Sequence, residues 1–364
     1  LKVRVRLETL SPIHVGVGRD NLTGLDYVLF NDYVYVIDFD RLIDLLRSRG
    51  LDQRYMGFVR GGSGRKLLSD FLRRVGLLNQ QILESISLYK LRWSKGLQVD
   101  GRAIKRLTRC VDGGIYLPGS SIKGSLRTAI ILHKLLTDEG LRERMIGLVR
   151  KISESRSKKL GSVVENVLRT ERDFSRDVMR LLRPSDLFPK SDVAGEVARL
   201  LSLSFTSGGA RLLGYSEVIP PGVVFEGFME VLDRPEVVSY IGGSIGLQEI
   251  LSAIQVRSGK LLDRLIRRLE QFSHVAEASK VKDGLGEIKD RLDGGDIVST
   301  VGFGQGYWGV TVTEFKPDLL HLLHVRGTRN LRPHDFPRSL RVVDRGFGLE
   351  PLGWVLLRFE EVGG

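Results

Sequence analysis

The sequence predicts an α+β protein built on antiparallel sheet, and three observations predict it. LKVRVRLETL (1–10) alternates polar and apolar residues with a period of two, as a strand with one buried face does. LDYVLFNDYVYVIDF (25–39) sets Asn31-Asp32 between two β-rich runs, the pattern of a hairpin. Helical blocks over 139–183 and 244–292 stand between such segments instead of alternating one-to-one with strands, which argues against a doubly wound parallel sheet.

The elements follow in order. SPIHVGVGRD (11–20) is a loop, with a proline and two glycines two apart. Asp38 or Asp40 caps a helix running to about Arg49. GFVRGGSGRK (57–66) is a glycine-rich connector or the start of a helix, 67–91 is mainly helical, and KGLQVDGRAIKRLTRC (95–110) is basic and irregular. IYLPGSSIKGSLRTAI (115–130) reads as a short apolar strand, a Pro-Gly-Ser-Ser turn and a helix from about Ser120 to Leu136. SRSKKLGS (155–162) is an exposed tip. Segments 211–219 and 222–232 flank Pro220-Pro221-Gly222 in a hairpin-like connection. DIVSTVGFGQGYWGVTVTEF (296–315) is a strand, a glycine-dense loop and more β; 317–325 is a short helix and 354–360 a last strand. The end of the charged helical block suggests a division near residue 200, into 1–200 and 201–364.

Composition narrows the function. Lys+Arg is 56 against Asp+Glu 44, a net charge of +12, and nucleic acid is the commonest partner of such a chain. The single cysteine, Cys110, excludes a disulfide framework and a cysteine zinc site, and fits a cytoplasmic setting. The first residues do not read as a signal peptide, and no apolar run approaches the ~18 residues of a membrane span.

Strand, small-residue turn and basic helix start is a phosphate-holding arrangement. Gly119 and Gly124 have the spacing of a Walker A loop, but Ser125 stands where its lysine belongs and Lys123 precedes the second glycine, so a nucleoside triphosphatase is rejected. Ser120 or Ser121 is a candidate N-cap, and Lys123 and Arg127, four apart, share a face. A capped helix with two solvated cations would look the same. In the first loop, Gly16 and Gly18 permit close backbone approach, flanked by His14 and Arg19. In VGFGQGYWG, Gly302, Gly304, Gly306 and Gly309 surround Tyr307 and Trp308, aromatics on which bases stack unless they are core.

SPIHVGVG, LPGSSIKGSLR and GFGQGYWG together resemble the three signature regions of the RAMP superfamily of CRISPR effector proteins. VYVIDFDRLIDLL (34–46), DVMRLLRPSDL (177–187) and GLEPLGWVLLRFEE (348–361) resemble one branch, the fifth subunit of type III-A (Csm) complexes. The resemblance implies a ferredoxin-like, RRM-type fold with β-hairpin and helical insertions. It implies a non-catalytic subunit that caps the 3′ end of a single-stranded guide (crRNA) and aids its maturation. No cofactor is implied. The implied partners are crRNA, target RNA, the adjacent backbone RAMP subunit and host nucleases. Carried over, the signature residues are His14, Gly16 and Gly18; Ser120, Ser121, Lys123, Gly124 and Arg127; and Gly302, Gly304 and Gly306. No cation follows the last glycines, so Tyr307 and Trp308 are expected to stack or pack there. A neighbouring subunit is expected to dock on the helical blocks at 139–183 and 244–292.

Two rivals remain open. A metal-independent ribonuclease would use His14 as general acid or base, without an evident second group. A RAMP subunit of a type III-B (Cmr) complex keeps the superfamily and changes the assembly. A metal is not expected: His321 and His324 lack a nearby carboxylate, and Asp173, Asp177 and Asp186 lie among arginines as in solvated ion pairs.

Overall fold

The computed structural model describes residues 1–61, 66–93, 101–154, 178–232, 246–310 and 337–362. The expected tip at 155–162, the helix at 317–325, and His321, His324, Asp173 and Asp177 lie outside the described residues.

The chain opens with β1 (Lys2–Thr9), β2 (Gly16–Leu22), β3 (Tyr27–Phe30) and β4 (Tyr33–Ile37). Helices α1 (Phe39–Ser48), α2 (Asp52–Arg60), α3 (Leu68–Arg74) and α4 (Gln80–Ile86) follow. Then come β5 (Ser87–Arg92), β6 (Ile104–Leu107), α5 (Gly119–Thr137) and α6 (Glu139–Glu154). β7 (Leu182–Pro184), β8 (Phe188–Pro189), β9 (Glu196–Ser204), β10 (Ala210–Val218) and β11 (Val224–Val231) precede α7 (Leu247–Glu270) and α8 (Ala276–Asp293). β12 (Ile297–Thr300), the short α9 (Gly306–Val310), β13 (Ser339–Asp344), β14 (Leu349–Pro351) and β15 (Trp354–Glu361) complete it.

Among the described residues the first sheet runs β12-β15-β1-β11-β7, with β8 also on β11, and its pairs are antiparallel. β1 alternates as its sequence requires: Val3, Val5 and Leu7 are fully buried while Lys2 and Arg4 face out. On that buried face lie Ile122, Leu126, Ala129 and Ile130 of α5 and Ile250, Ala253 and Ile254 of α7. In chain order β1, α5, β7, β11, α7 and β15 form a βαββαβ unit with β1 central, the ferredoxin-like arrangement. The second sheet runs β2-β6-β10-β9-β5-β4-β3, with β13 on β9 and β14 on β13. It is antiparallel except for β6–β10 and the single β5–β9 bridge. Helices α1 to α4 cover the β3–β4 hairpin through Leu42, Leu46, Phe71, Leu72, Leu83 and Ile86.

Local chemistry explains several elements. Asn31 takes the left-handed conformation (φ 53°) that the tight β3–β4 turn demands and that asparagine tolerates. Asp38, not Asp40, is the cap of α1, accepting from the N–H groups of Asp40 and Arg41.

Other expectations are corrected. The segments around Pro220-Pro221-Gly222 are not a hairpin: β10 joins the second sheet and β11 the first, so the turn passes the chain between sheets. The block at 244–292, expected as a docking face for a neighbouring subunit, supplies α7, the second core helix of the ferredoxin-like unit. Strands β2, β5 and β6 occupy stretches read as loop, helix and irregular chain. Residue 200 falls inside β9, and each sheet takes strands from both sides of it.

Candidate nucleic-acid interface

The middle motif is held by a distant one. Gly119 begins α5, and its N–H donates to Asp186 Oδ1 at 2.8 Å. Leu117 and Leu187 exchange both backbone hydrogen bonds at 2.9 Å. A Cβ on Gly119 would lie 2.4 Å from the Pro184 carbonyl oxygen and 2.7 Å from that of Ser185, so only glycine fits. Thus LPGSS and RPSDL form one unit. Neither Ser120 nor Ser121 is the N-cap; Pro118 occupies that position and the Asp186 carboxylate serves the helix start. Asp186 therefore serves the start of α5 as a helix-terminal acceptor. Ser120 is exposed, Ser121, Lys123 and Arg127 are partly buried, and Gly124 opens onto free space.

The first and last motifs meet directly. Phe303 N–H donates to the His14 carbonyl at 2.7 Å, and a Cβ on Gly302 would sit 2.3 Å from that oxygen. The C-terminal PLGW stretch ties both: Gly353 N–H donates to Pro12 O, Val301 N–H to Gly353 O, and Trp354 N–H to Ser11 Oγ. α5 joins through Ser125, whose Oγ lies 2.9 Å from Ser299 Oγ. Arg257 of α7, only 3 % exposed, binds Ser125 Oγ, Thr300 Oγ1, Gln305 Oε1 and the Gly309 carbonyl. Burial pulls its pKa down to about 10, so the guanidinium stays charged at neutral pH, bound to neutral oxygens.

His14 is 4 % exposed. Its Nδ1 lies 2.7 Å from the Glu217 carbonyl oxygen, which can only accept, so Nδ1 carries the proton. Ser216 Oγ lies 2.9 Å from the same nitrogen. Burial first, then the nearby Lys105 charge, hold its pKa below the ordinary value, against the opposing effect of the Glu217 hydrogen bond. The Glu217 side chain, 0 % exposed, accepts from Arg109 Nε and NH2 and from the Tyr89 hydroxyl. Burial and the Glu217 charge push the Tyr89 phenol upward.

Of the two alternatives for Tyr307 and Trp308, stacking on a base or packing, the structure has them packed. α9 turns Trp308 inward to 8 % exposure, where Phe205 stacks on it (5.8 Å between centroids) and the Arg264 guanidinium lies over it. Tyr307 packs against the same core cluster. The exposed aromatic of this loop is Phe303, with Lys105 of β6 over its ring, and sequence reading passed over both. The signal was present in the spacing: Phe303 lies between two glycines, Gly302 and Gly304. Gly16, Gly18 and Arg19 belong to β2, and Gly18 and Gly306 face open space; the Arg19 side chain lies outside the described set. Among the described residues no group of three or more His, Cys, Asp or Glu is placed to hold a metal, and no helix is long and apolar enough to cross a membrane.

Comparison with known proteins gives the same picture from another side. A family model described as the RAMP superfamily matches residues 6–237. A protein of Methanocaldococcus jannaschii named CRISPR system Cms protein Csm5 is 26% identical over 194 residues, 51% of this chain and 43% of that protein. The match thus spans less than half of that relative's length. A chain in the cryo-EM structure of a Csm–crRNA–target RNA ternary complex of a type III-A CRISPR-Cas system shares the fold (TM-score 0.69, 18% identity, 98% of this chain and 100% of that one). So does the crystal structure of T. onnurineus Csm5 (TM-score 0.64, 18% identity, 96% and 99%).

Proposed function

The chain belongs to the RAMP superfamily, and we propose that it is a non-catalytic subunit of a type III-A (Csm) interference complex that binds guide RNA, caps its 3′ end and aids its maturation. The observation that carries this reading is the meeting of the three signature segments: the His14 carbonyl holds Phe303, Ser125 of α5 meets Ser299 of β12, and Arg257 links Ser125 to Thr300 and Gln305. Likeness to the Csm5 proteins and to a chain of a Csm–crRNA complex favours the Csm assembly over Cmr. The other partners of this reading are target RNA, the adjacent backbone subunit and host nucleases.

In the proposed mechanism Lys123 and Arg127, on one face of α5, take successive phosphates beside Gly124, where the absence of a side chain lets the RNA backbone approach. Phosphate contacts fix position without reading sequence, which suits a subunit that accepts any spacer. His14 supports the non-catalytic reading through its burial, since a ring 4 % exposed offers little access to an RNA 2′-hydroxyl.

The test is a salt titration of binding to a labelled single-stranded RNA that carries a repeat-derived tag. Lys123→Ala/Arg127→Ala is expected to weaken binding and to reduce the log–log salt slope by about 1.4, roughly 0.7 for each phosphate no longer neutralised. An unchanged slope and affinity would remove the phosphate assignment. RNA cleavage that disappears in His14→Ala would move the protein to the ribonuclease class.

A further inference from the structure

We propose that Phe303 is a stacking platform for an unpaired nucleobase, and that Lys105 takes the phosphate beside it. The inference rests on the RNA-binding reading above and adds a subsite that phosphate contacts do not supply.

The loop treats its aromatics unequally. Trp308 and Tyr307 pack into the core, while Phe303 keeps 42 % of its surface in solvent. A lone exposed phenylalanine is ordinary on a protein surface; this one is built differently from a stray side chain. It stands between Gly302 and Gly304, both left-handed at φ 83° and 93°. Both glycines are demanded by contacts within the protein: a Cβ on Gly302 would strike the His14 carbonyl, and one on Gly304 would lie 2.3 Å from Leu352 Cδ2. The Phe303 N–H is bonded to His14 O, and the imidazole meets the phenyl ring edge to face at 5.9 Å and 88°. The backbone that carries the ring is therefore pinned on both sides and the ring is braced by His14. A pre-ordered ring loses little entropy when a base stacks on it.

The surroundings suit a nucleotide. Lys105 Nζ lies 5.7 Å from the ring centroid, held by the negative face of the aromatic system. A base arriving on that face takes the place of the cation, and the flexible lysine is left to pair with the adjoining phosphate. Gly18 of β2, the strand that pairs with β6, and Gly306, three residues beyond Phe303, both face open space. A stacking site of this kind accepts every base, as an arbitrary spacer requires.

The test uses the full chain and an oligouridylate carrying one 5-iodouridine. Phe303→Ala is expected to lower affinity about 5- to 160-fold while leaving the salt slope unchanged, and Phe303→Tyr to stay near the unsubstituted protein. Lys105→Ala is expected to reduce the slope by about 0.7. Photocrosslinking is expected at Phe303. Unchanged affinity in Phe303→Ala, with Lys123→Ala/Arg127→Ala still weakened, overturns the platform and leaves the RNA reading standing. Equal losses in Phe303→Ala and Phe303→Tyr overturn it as well, since the ring would then matter only for folding. No binding by the unsubstituted chain at low salt overturns both.

Discussion

His14 stands where three local demands meet: its carbonyl holds Phe303, its Nδ1–H holds Glu217 and its ring fills the space beside Gly16. Burial keeps the imidazole neutral, with a folded pKa below the ordinary 6.5. The sign of the consequence follows from linkage: at high pH both folded and unfolded His14 are neutral, and as pH falls below about 6.5 only the unfolded chain takes the proton. Stability is therefore expected to fall as pH drops through this window towards the folded pKa. In urea unfolding from about pH 8 to about pH 5, the stability gap between the native protein and His14→Gln is expected to narrow as pH falls. A constant gap would mean that His14 titrates normally. Asp344, whose folded pKa is held below 3.8 by the Gly346 N–H, Arg199 and the Gly348 N–H against the opposing effect of burial, acts only at more acidic pH.

At the scale of elements, legibility depended on how far a partner lies along the chain. The Asp38 cap was readable because the groups it accepts from are two and three residues away. The α5 cap was not, because Asp186 is 67 residues from Gly119. The same limit explains the turn at Pro220-Pro221-Gly222: turn residues announce a reversal but carry nothing about which sheet receives each strand. It also explains Trp308, whose glycine-rich neighbourhood suggested an open loop until a helical turn and Phe205 enclosed it. β6, with only Ile104 and Leu107 buried, has too little pattern to read as a strand. Gly119→Ala is expected to be the more damaging of two changes at the α5 start. It forces a carbon against two backbone carbonyls, whereas Asp186→Ala removes one capping hydrogen bond worth about 1 kcal/mol. Thermal melts of the pair would check this; equal losses would mean that the backbone at 184–185 yields freely.

For the molecule as a whole, the sequence conveyed the class, the basic charge and the motif loops, but not the interleaving. A ferredoxin-like unit was expected, and its strands come from residues 2–9, 182–184, 224–231 and 354–361, with the second sheet built from the chain between. Alternation identifies a strand's buried face and is silent on its neighbours. Cutting the chain at residue 200 would sever β9, which pairs with β10 and β13. Fragments 1–200 and 201–364 are expected to be insoluble when expressed alone and to recover a cooperative melt only when co-expressed. Independent folding of either fragment would show that the sheets are separable.

The central place of β1 has a consequence in time. Leu7 lies opposite Phe225 on one side and Leu357 on the other. On a ribosome adding about 5–20 residues per second, the roughly 350 residues from Leu7 to Leu357 take on the order of 20–70 s to appear. Throughout that interval β1 has an open edge, of the kind that recruits stray strands. Its lysine and arginines, which alternate with the buried valines, then serve as guards for a nascent chain, keeping an unfinished sheet from pairing with its neighbours on the same message until its last strand arrives.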